Sequence, residues 1–443
     1  MLKKFSIFVL IFAAFTFSSF AQDSESTAVE ESSEAVEEVA AEEGGSAKKI
    51  GGIKFSGLKK TKEKYLLRVL KDFEGKEASE ENLKEIEGAL MREQLFEKIA
   101  IKSSEANESV SLEIEVKEKI SFLPLPFGAV SNGSPMIGAF LMDTNAFGVK
   151  DVFVLGGLYS PSTLSGFALY SKSAVDITHP GFSVSLSASK SKSEIADENQ
   201  NELFEYKHKS FGGSLSLHEK LSKYVTLNAG CAYLHMDADD IDEEYAAWGE
   251  KHFAIEKLQT ISPNVSLAVG TTDWNGIFLS QKSFGIGGAL LFTDYNDEEG
   301  WKKSRSASAK LVFQQPLLSE KLRFLLSSSA YWSADAPITA RQGGGAADVT
   351  ILAENYTTDK IAGGNTGFEY ALFTTKIGTF SGYALYECAV TNNFSDEAVF
   401  SQGAHGGMKL YLSKIAIPAL SFGLSYNASQ KFWNTSFAFG MQF

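Results

Sequence analysis

The sequence predicts a transmembrane, 16-stranded antiparallel β-barrel preceded by one small α+β domain, and three observations carry this prediction. Residues 431–443 alternate, with Phe437, Phe439 and Phe443 on one side of an extended strand and Gly440 on the other. Beyond residue 21 no apolar run approaches the roughly 20 residues that a transmembrane helix needs. Residues 119–443 are long enough for 16 strands at about 20 residues per strand and loop.

The final strand favours a membrane barrel because it ends on an aromatic residue, Phe443. In such barrels the outward face meets lipid, and aromatic side chains gather at the membrane interfaces. The alternative is a hydrophobic edge strand of a soluble sandwich, whose apolar face would meet a core. We interpret Phe437, Phe439, Gly440 and Phe443 as part of an assembly signal and of the strand that closes the barrel.

The N-terminal residues, 1–21, have the pattern of a secretory signal peptide. Lys3 and Lys4 precede an apolar run from Phe5 to Phe17, and small residues follow near Ala21. An uncleaved anchor is the alternative, but the run is short for a membrane span. Residues 22–47 are acidic, with no basic or aromatic residue, which predicts a disordered, solvated linker. We therefore expect export.

Residues 48–118 predict a small domain with the order β-α-α-β-β. A short strand contains Ile53 and Phe55, and Thr61 opens a helical pattern. Ser79 is placed to cap a second helix that runs to about Gln94. Two strands follow, and the second alternates apolar residues at Val110, Leu112, Ile114 and Val116.

This segment resembles a POTRA (polypeptide-transport-associated) domain. The resemblance rests on Ile53, Phe55, Gly57 and Thr61 at their spacing, followed by the pattern from Leu90 to Ile99. It implies a domain that holds client chains or partner proteins by strand addition at an exposed sheet edge. A generic α/β module is the alternative.

Within residues 119–443, alternation and turn signals predict strands that begin near 122, 135, 150, 165, 183, 207, 223, 257, 277, 303, 321, 362, 378, 404, 417 and 432. The connections separate by parity into short turns and longer loops, and the long acidic ones (193–206, 237–251, 294–301 and 335–361) fall on one side. Barrels have short periplasmic turns and long outer loops. The spacing of Asp237, Asp239, Asp240 and Asp242 does not fit an EF-hand, so we predict a solvated loop rather than a cation site.

The barrel resembles the superfamily of outer-membrane assembly and secretion barrels, the BamA and TamA type, also called bacterial surface antigens. Residues 136–148, 176–186 and 406–427 carry the resemblance, together with Gly440 three residues before the final aromatic. It implies a bacterial outer-membrane barrel with its N-terminal domain in the periplasm. The implied partners are membrane lipid, unfolded outer-membrane or secreted client proteins, and periplasmic accessory subunits.

The sixth loop departs from this family. There a Gly-Gly pair precedes an Arg-Gly pair, and the Arg binds an acidic residue on a neighbouring strand. Here Gly344 and Gly345 keep the spacing, but Thr350 replaces the Arg and Ile351 the following Gly. Glu387 matches the acidic position, so we expect it to lose its partner. The departure indicates a divergent paralogue and leaves the insertase activity open.

Other functions have little support in the sequence. A net charge of −14 argues against nucleic acid, which needs a basic surface. The two cysteines, Cys231 and Cys388, form no framework, although a disulfide between them stays open. The histidines lack metal or nucleophile spacing; His208 and His218 share a face as polar lumenal or interfacial residues. We predict no enzyme activity, cofactor or metal, with a barrel hydrolase assembled from several strands as the alternative.

The first barrel strand contains Pro124 and Pro126, which cannot donate hydrogen bonds to a neighbouring strand. It must pair with residues 432–443 to close the barrel, so we expect a weak seam through which a client strand could pair. The alternative is that both prolines belong to the inter-domain linker. The expected function is assisted insertion or translocation of clients, and the competing function is a passive pore or a surface-exposed binding barrel.

Overall fold

The computed structural model describes residues 48–443 except 94, 107–108, 133, 175–178, 223, 240–256, 276–277, 296–299, 318–320, 344–347, 394–395, 413–417 and 440–443. The expected signal peptide and linker therefore lie outside the described residues, as do Gly344, Gly345, Gly440 and Phe443. No helix in the described part has the length and apolar character to cross a membrane.

The N-terminal domain is a three-stranded sheet with two helices. Its elements are β1 (Lys49–Ser56), α1 (Glu63–Val69), α2 (Glu80–Arg92), β2 (Phe96–Ala106) and β3 (Ser109–Glu118). The sheet order is β1-β3-β2, with β1 parallel and β2 antiparallel to β3. The alternating residues of β3 face a core formed with Leu66, Ile86 and Leu90, all fully buried. The predicted order β-α-α-β-β is confirmed.

The two helix starts differ in how well their sequence signals predict them. Ser79 caps α2, because its hydroxyl accepts a hydrogen bond from the N–H of Asn82 at 3.3 Å. The prediction that Thr61 opens the first helix is wrong by two residues, since α1 begins at Glu63 after an uncapped Lys62. Thr61 is instead buried, and its N–H donates to the carboxylate of Glu118 at 2.8 Å. Thr61 therefore makes a tertiary contact instead of starting the helix, as the local pattern had indicated.

The remaining strands close into a 16-stranded antiparallel barrel, as predicted. In chain order they are β4 (Phe122–Ser131), β5 (Ser134–Asp143), β6 (Asp151–Ser160), β7 (Thr163–Lys172), β8 (Gly181–Ala196), β9 (Glu202–Ser222), β10 (Val225–Asp239), β11 (Lys257–Asn275), β12 (Phe278–Asp294), β13 (Lys302–Leu317), β14 (Leu322–Ala334), β17 (Lys360–Thr374), β18 (Gly378–Asn392), β19 (Ala398–Leu412), β20 (Pro418–Asn427) and β21 (Phe432–Phe439). Two short strands, β15 (Gln342–Gly343) and β16 (Thr357–Thr358), pair with each other in the connection between β14 and β17.

The two faces of the barrel wall follow the period-2 pattern of the sequence. On β9, Phe211, Leu215 and Leu217 point outward and are more than half exposed, at 51%, 52% and 57%. Hydroxyl residues line the inside, where Ser189 of β8 meets Ser210 of β9 at 2.7 Å between their oxygens. An apolar outside and a polar inside are what a lipid-exposed barrel requires.

The barrel has a short-turn end and a long-loop end. The long-loop end carries the connections 197–201, 240–256, 295–301 and 335–359, and the last of these is the sixth loop. The domain-proximal turn between β5 and β6, residues 144–150, lies at the opposite, short-turn end. The predicted loop 193–206 is too long, because β8 and β9 continue pairing to Ala196 and Glu202. In this region charged residues replace apolar ones on the outward face, so the alternation of apolar and polar residues weakens. The sequence pattern therefore did not reveal that the two strands extend further.

Candidate functional site

The described part of the seam between the last and first barrel strands is short. Among the described residues β21 pairs with β4 only from Ser436 opposite Ser131 to Phe439 opposite Gly128. In contrast, β4 pairs with β5 along its whole length, from Phe122 to Ser131. The described seam pairs therefore lie in the part of β4 nearer the long-loop end.

Pro124 and Pro126 lie in β4, on the stretch beyond the described seam pairs. They face Leu141 and Ala139 of β5 in a continuous register. A proline fits a paired strand where its nitrogen faces away from the paired neighbour, so we infer that both nitrogens face the seam side. That stretch of the edge offers fewer donors to β21 than an ordinary strand would.

The seam register fixes which residues oppose one another. Gly128 faces Phe439, whose ring occupies the space of a missing side chain: a Cβ on Gly128 would lie 2.0 Å from it. Phe437 and Phe439 point outward and are 43% and 41% exposed. Ser436 lies opposite Ser131 rather than Gly128, and Ala129 and Ala438 are directly opposed, so a cross-link across the seam joins these two alanines.

The sixth loop folds into the lumen. Its apolar residues Val349, Ile351 and Leu352 are buried against Ile361 of β17 and Ala389 of β18. Polar contacts to inward-facing wall residues accompany this packing. The Asp348 carboxylate accepts from Ser327 of β14 at 2.6 Å and from Lys310 of β13 at 3.0 Å, and the Asp348 carbonyl accepts from Asn365 of β17 at 2.6 Å.

Glu387 is the wall residue that holds the loop, and the expectation that it would lose its partner is wrong. Its Oε2 accepts the N–H of Thr350 at 2.6 Å, the Thr350 hydroxyl at 3.2 Å and the N–H of Ile351 at 3.2 Å. Its Oε1 lies 3.1 Å from Nδ1 of His405 on β19. The loop backbone and a neighbouring histidine thus take the place of the missing loop cation.

His405 is held in turn by Tyr383 of β18, whose hydroxyl lies 2.9 Å from its Nε2. Two glycines make room for this pair. A Cβ on Gly407 would lie 2.6 Å from the Tyr383 hydroxyl, and one on Gly423 would lie 2.8 Å from His405 Nε2. Side chains at these two positions would displace the residues that orient Glu387.

A second charged cluster, which the sequence analysis missed, lies nearer the short-turn end. Arg323 of β14 pairs with Glu369 of β17 at 2.5 Å, and Lys409 of β19 approaches the same carboxylate at 3.4 Å. Tyr411 donates to Glu369 at 2.8 Å, and Ser381 donates at 2.6 Å. Glu369 is fully buried but receives enough donors to compensate its charge. The cluster ties four adjacent strands together from inside.

The N-terminal domain contacts the barrel through the turn 144–150. Asn145, 3% exposed, donates to the hydroxyl of Thr61 at 2.9 Å. The Lys62 N–H donates to the carbonyl of Gly148 at 2.8 Å. Lys60 pairs with Asp143 at 2.5 Å. Backbone and buried side-chain bonds together fix the domain beneath the first strands of the barrel.

Of the other candidate residues, the two histidines have hydrogen-bond partners in the barrel wall. His208 and His218 both face the lumen and are almost fully buried; they bond Ser193 at 2.9 Å and Ser183 at 3.2 Å. Cys231 and Cys388 are free thiols, so no disulfide joins them. Asp240 and Asp242 lie outside the described residues.

One group of carboxylates among the described residues has oxygens close enough to share a cation: Glu194, Glu202 and Glu205 at the long-loop end of β8 and β9. Lys192 already pairs with Glu205 at 2.5 Å. This ion pair supplies a positive charge to the group from within the chain.

Comparisons with known proteins agree with this architecture. Residues 48–119 match the POTRA family, described as surface antigen variable number repeat. No curated protein matches the chain by sequence. Solved structures share the fold at low identity, among them the following three. BamA from Haemophilus ducreyi lacking POTRA domains 1–3 has a TM-score of 0.61 and 13% identity, over 90% of this chain and 85% of that one. CdiB from Escherichia coli has a TM-score of 0.63 and 15% identity, over 89% of this chain and 77% of that one. CdiB from Acinetobacter baumannii has a TM-score of 0.61 and 13% identity, over 89% of this chain and 74% of that one.

The fold and these matches define the class of the protein as an outer-membrane-type β-barrel with an N-terminal POTRA domain. In particular, one POTRA domain precedes a 16-stranded barrel with the fold of BamA and CdiB. The POTRA resemblance of the N-terminal segment and the predicted barrel fold are thereby confirmed.

Proposed function

We propose that this protein assists the insertion or translocation of client proteins at the bacterial outer membrane, and that it does so without enzymatic chemistry. The observation that carries the proposal is the pair of prolines in β4, which lie on the seam strand next to the four described residue pairs with β21. A seam with fewer hydrogen-bond donors is the place where an unpaired client strand can add to the wall with the least disruption.

The contact between domain and barrel supports the proposed orientation in the membrane. The domain touches the turn 144–150, which lies at the short-turn end. Short turns face the periplasm in barrels of this kind, so the domain lies in the periplasm and the sixth loop enters from the cell surface. Membrane lipid, unfolded clients and periplasmic accessory subunits are the proposed partners.

The domain would receive clients at the edge strand β2. In the order β1-β3-β2, no strand covers the outer edge of β2 among the described residues. The opposite edge is partly occupied, because the Ile50 N–H donates to Lys76 and the Gly75 N–H donates to Ile50, at 2.8 and 3.0 Å. Main-chain hydrogen bonding at a free edge accepts many sequences, which suits a domain that binds varied unfolded chains.

The test is reconstitution of the folded protein in lipid vesicles with an unfolded barrel protein as client. Cysteines at Ala129 and Ala438, in a background with Cys231 and Cys388 replaced, lock the seam when oxidised. We expect the lock to abolish client insertion and reduction to restore it. A control lock between β9 and β10, at the opposed residues Ser214 and Ala232, should leave insertion unchanged.

Two results contradict the proposal. Insertion by the locked protein at the unlocked rate would exclude the seam as the route. Ion conductance without client insertion by the unlocked protein would establish the passive pore instead.

A further inference from the structure

The sixth loop reaches across the lumen to the seam itself. Asn434 of β21 points inward beside the last seam pairs, and its Nδ2 donates to the Thr350 carbonyl at 2.7 Å and to the Leu352 carbonyl at 3.0 Å. Asn434 therefore donates to two carbonyls of the loop backbone that are two residues apart. This contact joins the loop to one side of the seam.

The same loop also contacts the other side of the seam. Glu354 accepts from Nδ2 of Asn132, in the turn that follows β4, at 2.9 Å. Asn132 continues the seam beyond the end of β4, because its N–H donates to Thr435 at 2.9 Å and its Oδ1 accepts the Thr435 N–H at 2.7 Å. The Asn132 and Asn434 amides lie 3.2 Å apart, so the three side chains form one continuous cluster.

The loop has a firm support from which to hold the seam. Its apolar residues are buried against β17 and β18, and Glu387 of β18 binds its backbone. Those strands pair with each other over almost their full length. A segment fixed to β17 and β18 therefore contacts both sides of the seam, through Asn434 on β21 and Asn132 after β4.

We propose that the sixth loop is a latch on the seam, with Asn434, Asn132 and Glu354 as its contact residues. With the loop seated in the lumen, the seam is held closed at its long-loop end. Displacement of residues 350–354 removes the bonds from the loop and leaves the pairing of β21 with β4 to hold the seam at that end. The latch regulates the seam invoked in the proposed function, but its test needs no client.

The experiment measures seam opening in the full-length folded protein in lipid vesicles. Spin labels replace Val130 and Phe437, which are directly opposed and point outward. Dipolar broadening of their spectrum reports the closed seam, and the unbroadened fraction reports the open one. We expect Asn434→Ala to raise the open population about tenfold, because the seam loses the hydrogen bonds that tie it to the loop.

A matched control separates latching from general loosening of the loop. The double variant Ser425→Ala, Asn365→Ala also removes two side-chain bonds to loop carbonyls, at Thr350 and Asp348, but on β20 and β17. We expect this double variant to keep the seam as closed as in the wild type. Opening equal to that of Asn434→Ala would overturn the proposal.

A second variant tests the other side of the seam without backbone strain. Asn132 has φ of 45°, a conformation that suits glycine, so Asn132→Gly removes only the side chain. Heat-modifiable electrophoretic mobility verifies that each variant is folded. We expect Asn132→Gly to open the seam as well, and an open population equal to that of the wild type would overturn the proposal even if Asn434→Ala failed to fold.

Discussion

The anchoring of the sixth loop makes a quantitative prediction for Glu387. Replacing it with alanine leaves the N–H groups of Thr350 and Ile351, which now donate at 2.6 and 3.2 Å, without their acceptor. Hydrogen bonds to a charged group contribute about 1.5 to 3 kcal/mol each. Taking the lower value for these two donors, Glu387→Ala weakens the docking of the loop by about 3 kcal/mol.

Hydrogen exchange on the folded protein measures this docking energy. A loss of about 3 kcal/mol raises the fraction of time that the loop is undocked about 100-fold, since about 1.4 kcal/mol corresponds to a factor of ten. We expect the amides of Thr350 and Ile351 to exchange faster by that factor in Glu387→Ala. Glu387→Gln keeps a carbonyl oxygen as acceptor, so its exchange should rise about tenfold or less.

Amides of β17 and β18 should stay protected, because strand pairing does not depend on the loop. Glu397→Ala, at an exposed residue beyond the end of β18, is the matched control and should change nothing. Exchange at Thr350 and Ile351 within threefold of the wild type in Glu387→Ala would refute the assignment of Glu387 as the anchor.

Three further predictions concern the ends of the chain and the domain contact. Phe443→Asp should lower the surface level of the barrel more than the stability of molecules that fold; equal surface levels would contradict an assembly signal. Asn145→Ala should speed exchange of the Lys62 amide about tenfold through loss of a buried interdomain hydrogen bond, with Asn201→Ala, at the other end of the barrel, as the control. Burial raises the pKa of Glu118, but hydrogen bonds from Thr61 and Lys60 outweigh this effect and hold the pKa below its ordinary value. Its contribution to stability is therefore present above pH 4.5 and lost as the pH falls through the lowered pKa, so Thr61 protection, corrected for intrinsic exchange, should fall in acid in the wild type and stay flat in Glu118→Gln.

The strands of the barrel could be predicted from sequence because successive side chains point alternately outward and inward, and the outward ones are apolar. Most predicted starts lie within a few residues of the observed ones, such as 257 for β11 and 378 for β18. Larger errors occur at the long-loop end, where β19 begins at Ala398 rather than near 404. There the strands extend past the apolar band, so the outward face is no longer marked by hydrophobic residues.

The interior of the site could not be predicted in the same way. The family pattern implies that a side chain of the loop binds Glu387. Most of its hydrogen-bond donors are instead loop backbone groups, which residue identities do not reveal. His405 comes from another strand, 18 residues away. The cluster of Arg323 and Glu369 had a usable signal, since both are charged residues at inward positions of otherwise regular strands.

The first strands of the barrel connect the three features on which the proposed function depends. The turn after β5 binds the N-terminal domain through Asn145, β4 forms the seam, and the turn after β4 provides Asn132 to the latch. Pro124 and Pro126 weaken this junction, because each lost strand hydrogen bond removes on the order of 1 kcal/mol in water and more in lipid. The latch adds bonds at the one end of the seam that the domain does not touch. A client strand arriving from the domain would therefore meet the seam at its unlatched end, where the prolines leave the edge of β4 with fewer donors, and could begin pairing before the loop is displaced.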